Sequence, residues 1–551
     1  MANTRNCHHC ETPFTIADWD EQFCARMDVP PPTLCARCRQ RRRTLQVNQV
    51  HLFRRTCDAT GDSIISNYPP DGPFQVYSQP FWYSDAFDGT SYGRDFDFNR
   101  PFFEQFHELS LVVPRPSLFT DYLRDENCAY TNYAGKNKNC YLIFDSDENW
   151  DCYYSYGIFH SKNCSDCYRV QYLELCYETV DSTNCYNCSF TYNSENCSDS
   201  AFINNCIGCK NCVLCSNLQQ KESYLRNKPA TRAEIEQFLH GLHSASALTA
   251  ARVEFEDFRL RFPQKATRGF HNENVTGNHL VHCKNARSCF DSINLWDAAN
   301  CTQIFIGAKD CLDCHECGES ELVYESCNLG YNAYHVRFSF HCLNQLTNLT
   351  YCNYCFNGCR DLFGCIGLKR KSYCLLNKQY SADDYARMVN RVIGHMRETG
   401  EWGEFFPPFT SSFPYNLTVA QEHFPLTEEQ AVASGYQWRP SPKEEYQVAT
   451  AVVPSILSDV PESITREVLA CEVCSKNYKI ILQEVQFHRF KSLALPRVCF
   501  HCRHLARVKR RTPQRLWVRA CARCNEALET AYPPEGGELI YCERCYLESL
   551  A

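Results

Sequence analysis

No stretch of this sequence approaches the roughly 20 consecutive apolar residues of a membrane-spanning helix, so no membrane association is expected. The first six residues, Met1 to Asn6, carry no hydrophobic segment and run straight into a cysteine, which predicts a chain that is not secreted and works in the cytoplasm. There is no nucleophile motif, no phosphate-binding glycine loop and no open histidine–carboxylate metal site, so catalysis is the less favoured expectation. His315 and His341 stand alone among cysteines and are taken as structural side chains. No base-reading motif or RNA-binding fingerprint is present either.

What the chain has in excess is cysteine: forty in 551 residues. In an unexported protein these thiols stay reduced, so metal ligation outranks disulfides. Three frames carry the clearest spacing. Cys7 and Cys10 are followed after 24 residues by Cys35 and Cys38, and Cys471 and Cys474 after the same interval by Cys499 and Cys502. Cys521 and Cys524 with Cys542 and Cys545 form the third. Two thiolate pairs complete one closed tetrahedral site, so each frame predicts a structural zinc in a treble-clef or zinc-ribbon module. The first pair would sit on a tight knuckle and the second would open a helix, whose N-terminal amides favour thiolate. Cys24 lies inside the first frame but is not needed for four-coordination, and is expected to be a buried thiol.

Two central blocks, 128–215 and 283–374, hold thirteen cysteines each and repeat at an offset near 150. Cys164 and Cys167 match Cys314 and Cys317, Cys209 matches Cys359, and Cys215 matches Cys365. Register is lost between about 327 and 355. Each block ends in a helix-start signature, Thr231 with Glu234 and Ser381 with Asp384, predicting broken helices over 230–262 and a helix over 381–398. Cysteines recur both every 12 and every 21 residues, and periods of 20–24 predict a β-solenoid of short strands capped by the closing helix. An antiparallel meander of about 12 residues per strand and turn is the alternative. Asn repeatedly precedes Cys, as at Asn139, Asn163, Asn184 and Asn205, which suits left-handed coil corners with stacked amides.

The 26 central cysteines admit three readings: inward stacked thiols, further zinc sites, or iron–sulfur ligation, which no spacing here matches well. If they bind zinc, the candidates are Cys164, Cys167, Cys185, Cys188, Cys206, Cys209, Cys212, Cys215, Cys311, Cys314, Cys317, Cys352 and Cys355.

The expected fold class is mostly β with capping helices: duplicated cysteine-rich solenoid-like repeats flanked by zinc-built modules. The expected domains are a ribbon at 1–60, an aromatic-rich packing segment at 61–127 that covers the first solenoid coil, and repeat domains at 128–262 and 263–400. An extended linker at 401–470 would give the ribbons at 471–512 and 513–551 freedom of position. Both chain ends are basic while the body is acidic. Arg503, Arg507 and Arg511 share a helical face, with Lys509 and Arg510 beside them. That patch suggests contact with RNA, DNA or a ribonucleoprotein. A protein-interaction scaffold using the solenoid face, and metal storage or thiol redox buffering, are the alternatives.

The stretch Pro32-Thr33-Leu34-Cys35-Ala36-Arg37-Cys38-Arg39-Gln40-Arg41-Arg42 resembles a set of large multi-zinc-ribbon, cysteine-repeat proteins of candidate-phyla bacteria. So do Tyr92-Gly93-Arg94-Asp95-Phe96-Asp97-Phe98, the Asn-Cys-Tyr repeats and Tyr541-Cys542-Glu543-Arg544-Cys545-Tyr546. The resemblance spans nearly the whole chain. It implies a cytoplasmic zinc-ribbon protein and no established activity. Members are sometimes labelled acyl-CoA transferases, but no residue here carries that chemistry.

Overall fold

A computed structural model describes residues 3–440 and 446–550. The chain is mostly β, and its body is a pair of solenoids of short parallel strands. The first runs from Thr120–Asp121 to Glu222–Leu225 and is closed by the antiparallel strand Lys228–Pro229. The second runs from Gly269–Phe270 to Ser372–Leu375 and is closed in the same way by Lys378–Gln379. Helices then follow at Arg232–Gly241 and Ala245–Arg259, and at Ala382–Glu398. Thr231 and Ser381 cap their helices through the amides of Glu234 and Asp384.

The coil is shorter than the expected 20–24 residues. Pairing of Tyr156 with Tyr168 and of Ser189 with Ala201 sets it at 12. The backbone explains why. From Asn127 to Ser223 every third residue has positive φ, as at Tyr130 (57°), Tyr133 (52°), Lys136 (58°) and Asn139 (54°). Each is a corner, so a coil has four corners and four short sides. Any multiple of three returns to an equivalent place, and cysteines therefore recur at both 12 and 21. In the second solenoid three successive pairings, Cys327 with Phe340, Phe340 with Asn353 and Asn353 with Ile366, step by 13. The extra residues double the corners at Tyr331–Asn332, Asn344–Gln345 and Asn357–Gly358, in the region where sequence register was lost.

A left-handed corner costs an L-residue roughly 1 kcal/mol. Bonds to the coils on both sides offset it: Lys138 N donates to Asn149 O (2.8 Å) and Asn139 N to Glu126 O (2.9 Å). Corner amides add a ladder, in which Asn127 Nδ2 donates to Asn139 Oδ1 (2.9 Å) and Asn285 Nδ2 to Asp297 Oδ1 (2.8 Å).

The narrow interior dictates which side chains fill it. Ser146 Oγ donates to Phe144 O (2.7 Å) and accepts from Ile158 N in the next coil (3.2 Å). Cysteine does the same: Cys342 Sγ donates to Phe340 O (3.3 Å) and accepts from Cys355 N (3.4 Å). A thiol satisfies both backbone groups and still packs as a small hydrophobe. Inward thiols make up most of the hydrophobic core of the first solenoid, joined by a few Ile, Val and Leu. In the second they share the core about equally with Leu, Ala, Val and Ile.

The terminal modules grip the solenoids from outside. The helix Ala36–Thr44 lies on the second solenoid, where Arg39 Nε donates to Asp313 (2.8 Å) and Arg42 binds Glu325 through Nε and Nη2 (2.7 and 2.8 Å). The helix Phe500–Val508 lies on the first, where Arg503 and Arg507 both donate to Asp166 (2.5 and 2.6 Å). Matching ring contacts flank them, Phe23 on Tyr324 (6.3 Å) and Phe487 on Tyr177 (6.1 Å). Asp166 and Asp313 thus occupy equivalent corners, so Cys164 and Cys167 correspond to Cys311 and Cys314 rather than to Cys314 and Cys317. The later offset of 150 is 147 here, before the three added residues.

Two expectations need correction. The aromatic segment touches the first coil through Phe119 on Tyr133 (5.0 Å), but most of it covers the second solenoid, with Phe102 against Tyr351 (5.1 Å) and Trp82 against Phe356 (5.4 Å). The connector after Gly400 is not free. Trp402, Phe405, Phe406 and Phe413 are buried in the same aromatic core, and Val419 N donates to Val47 O. Pro442 lies outside the described residues.

Removing one partner from a buried ion pair strands the other charge. Asp313→Ala is therefore expected to cost about 3–5 kcal/mol, read as a lowered denaturant midpoint. A loss under about 1 kcal/mol would show that the arginine grip is not structural.

Candidate metal centres

Each terminal frame begins on a two-stranded hairpin. Asn3–Asn6 pairs with Pro13–Ile16, Leu469–Ala470 with Asn477–Tyr478, and Trp517–Ala520 with Ala527–Thr530. The first cysteine of each frame closes a knuckle: Glu11 N donates to Cys7 O, Ser475 N to Cys471 O and Asn525 N to Cys521 O, all at 2.9 Å. The second pair opens a helix, with Cys35 and Cys499 at the N-caps of Ala36–Thr44 and Phe500–Val508 and Cys542 just before Glu543–Leu550.

These elements bring the twelve cysteines into three groups whose four Sγ atoms lie within 4.8 Å of one another. Sulfur separations of 3.8 Å (Cys10–Cys35), 3.7 Å (Cys474–Cys499) and 3.7 Å (Cys524–Cys542) equal the edge of a tetrahedron with a metal–sulfur distance of about 2.3 Å. The knuckles also favour thiolate. Burial raises the Cys471 thiol, but amide donors including Cys499 N (3.3 Å) outweigh it and bring it to about 7. Cys521, held by the amides of Cys524 and Cys542 against its desolvation, falls to about 6. Four thiolates leave no open position, so such a site builds structure rather than activating water or substrate.

Other candidates fall elsewhere. Cys24 is buried outside the first group, and desolvation pushes its thiol to about 12. None of the thirteen central candidates, Cys164 to Cys355, joins a four-sulfur group among the described residues. They are inward thiols bonded to carbonyls, as where Cys188 Sγ donates to Tyr186 O (3.4 Å) and Cys197 O (3.5 Å).

The basic helix is corrected more sharply. Arg503 is 6% exposed and Arg507 1%, both committed to Asp166, so neither presents charge to a phosphate backbone. Arg511 reaches Tyr168 Oη (3.2 Å) and Glu422 O (3.0 Å), and Arg510 covers the Tyr192 ring. Lys509 is exposed and its side chain takes no part in these contacts. The helical spacing was legible, but it marked the face that docks inward.

Two cavities between the solenoids had no sequence signal beyond corners recurring every 12 residues. One of 110 Å³ holds Asp145, Asp147 and Glu316, and one of 220 Å³ holds Arg169, Asp181 and Asp291. Their groups bind one another across the seam: Tyr331 Oη donates to Asp147 (2.7 Å), and Gln303 Nε2 to Asp145 (3.3 Å). Burial nevertheless raises the Asp147 carboxyl to about 6.

No protein-family model and no curated protein matches this chain. Among solved structures, a proposed acetyltransferase from Desulfovibrio desulfuricans G20 aligns over 52% of this chain and 82% of its own, at 9% identity and a TM-score of 0.11. A TM-score that low carries no argument about fold or activity.

Metal analysis of the purified chain is expected to return three ions, and Cys499→Ser to return two. Thiol titration of the native, metal-loaded protein is expected to leave the central cysteines unreacted until denaturant is added. A value above three ions, or ready reaction of the central thiols, would overturn this assignment.

Proposed function

We propose that this chain is a zinc-stabilised, non-catalytic cytoplasmic scaffold that docks a protein partner on the outer faces of its two solenoids. Zinc is the ion best suited to closed four-thiolate tetrahedra. The resemblance to multi-zinc-ribbon, cysteine-repeat proteins agrees with this and adds no activity.

One observation carries the docking reading. Along the face away from the terminal helices, the outward residues of successive coils are Glu126, Lys138, Trp150, Lys162, Glu174, Tyr186, Ser198 and Lys210. The equivalent column of the second solenoid is Glu273, Lys284, Trp296, Lys309, Glu321, Tyr334, Thr347 and Arg360. The order of chemistries is the same. The adjacent outward column has diverged fully: Thr183, Glu195, Ile207 and Gln219 against Gly330, Leu343, Phe356 and Lys369.

Charge pairing accounts for part of the retained column. Lys138 meets Glu126 and Lys284 meets Glu273, each at 2.9 Å, and such cross-strand pairs are worth about 0.2–1 kcal/mol. It does not account for the aromatics. Trp150 and Trp296 are 46% and 51% exposed, and Tyr186 and Tyr334 48% and 50%. Exposed Trp and Tyr gain nothing from water, and they are the residues that dominate protein interfaces. The repetition makes the scaffold bivalent.

A nucleic-acid partner is the second reading, favoured by the lysines in the coils above and below each Trp, Lys138 and Lys162 around Trp150 and Lys284 and Lys309 around Trp296.

The double variant Trp150→Ala/Trp296→Ala is expected to keep the wild-type thermal midpoint and lose partner capture. Each Trp at a hot spot is worth about 2 kcal/mol, or about 30-fold in affinity. Gln219→Ala, in the diverged column, should leave capture unchanged. Capture that survives nuclease supports the protein reading, and capture abolished by nuclease moves the proposal to nucleic acid. Equal capture by the double variant would sink the docking face.

A further inference from the structure

The cysteines of the first and second frames differ by a constant 464: Cys7 and Cys471, Cys10 and Cys474, Cys35 and Cys499, Cys38 and Cys502. Carried past the second frame, this offset lays residues 53–83 on the third ribbon. Cys57 falls on Cys521, Tyr68-Pro69-Pro70-Asp71-Gly72 on Tyr532-Pro533-Pro534-Glu535-Gly536, and Val76-Tyr77 on Ile540-Tyr541.

The backbones agree. Phe53–Thr56 pairs with Ser63–Ser66 in the register that joins Trp517–Ala520 to Ala527–Thr530, shifted by 464 at every position. Gly61 N donates to Cys57 O (2.9 Å), as Asn525 N does to Cys521 O (2.9 Å). Ser78 N donates to Cys57 Sγ (3.2 Å), as Cys542 N does to Cys521 Sγ (3.3 Å). Ser78 then stands at the N-cap position of the helix Gln79–Tyr83, in the place where Cys542 precedes Glu543–Leu550. Each ribbon also adds a parallel strand to the segment that enters a solenoid, Val76–Tyr77 on Arg115–Pro116 and Ile540–Tyr541 on Gln264–Lys265.

The ligands are what the first segment lacks. Thr60, Ser78 and Phe81 stand where the third ribbon has Cys524, Cys542 and Cys545. Apolar packing holds what a metal would otherwise hold: Phe81 meets Tyr77 edge-on (5.2 Å), and Trp82, fully buried, packs on Phe87 (5.3 Å) and donates from Nε1 to Pro114 O (3.0 Å).

We propose that residues 53–83 are a fourth four-cysteine metal site that has lost three ligands and folds without metal. Returning those ligands rebuilds a tetrahedral thiolate site for zinc. The inference rests on the reading that the three terminal sites hold metal, so the same experiment measures the wild-type chain.

The test is the full-length variant Thr60→Cys/Ser78→Cys/Phe81→Cys beside wild type, each loaded with zinc and, separately, with cobalt. Four zinc ions per chain are expected in the variant against three in wild type. Thiolate-to-cobalt absorbance should rise by about a third, in proportion to the number of four-thiolate sites. A folded variant holding three ions overturns the inference, whereas a wild type holding none overturns the metal reading beneath it. Should the variant fail to fold, hydrogen exchange of wild type decides. On adding a chelator, the hairpin 53–66 should keep its protection while 517–530 loses it. Equal loss in both overturns the inference.

Discussion

The structure rests on a requirement inside the solenoids. A coil turned at every third residue has an interior too narrow for large side chains, yet backbone amides and carbonyls face into it. Aliphatic residues fill part of it, but the inward residue that answers those backbone groups must be small, apolar enough to bury, and able both to accept from the next coil and to donate to a nearby carbonyl. Ser146 and Cys342 meet that requirement by the same bonds. Cysteine meets it at lower desolvation cost than a hydroxyl, since the thiol behaves largely as a small hydrophobe. The abundance of central cysteine therefore reports a packing and hydrogen-bonding solution.

The terminal modules use cysteine for a different purpose. There four sulfurs converge at tetrahedral spacing, because a module of about 40 residues cannot bury enough apolar surface to hold itself together. Residues 53–83 show the same module in another circumstance, where Trp82, Tyr68 and Val76 are buried in the shared aromatic core.

Arginine ties the two systems together. Arg39 on Asp313 and Arg503 on Asp166 are equivalent contacts made by the two ends of the chain on opposite solenoids. Such pairs specify docking geometry more than they add net stability, since burying both charges is costly and losing one is costlier. They also turn the most basic helix faces inward. That leaves the solenoid exterior, with its twice-written lysine, tryptophan and tyrosine column, facing solvent, and it is the surface proposed to meet a partner.

Much of this was legible in the residues themselves. The C-x2-C frames named all twelve cysteines that converge in the three groups, Thr231 and Ser381 marked the closing helices, and Asn before Cys marked the left-handed corners. Local rules suffice there, because ligand spacing, capping and corner conformation are settled within a few residues. The coil length was missed because spacings of 12 and 21 are both multiples of three, and only strand pairing distinguishes a full coil from an arbitrary number of sides. The fate of Arg503 and Arg507 was missed for a related reason. Helical spacing places them on one face, but whether that face meets solvent or Asp166 depends on a contact spanning more than 300 residues. The sequence by itself determined the metal frames, the corners and the duplication. Tertiary structure alone decided which solenoid each end grips and which charges remain exposed, because burial is a property of the assembled surfaces and not of any one segment.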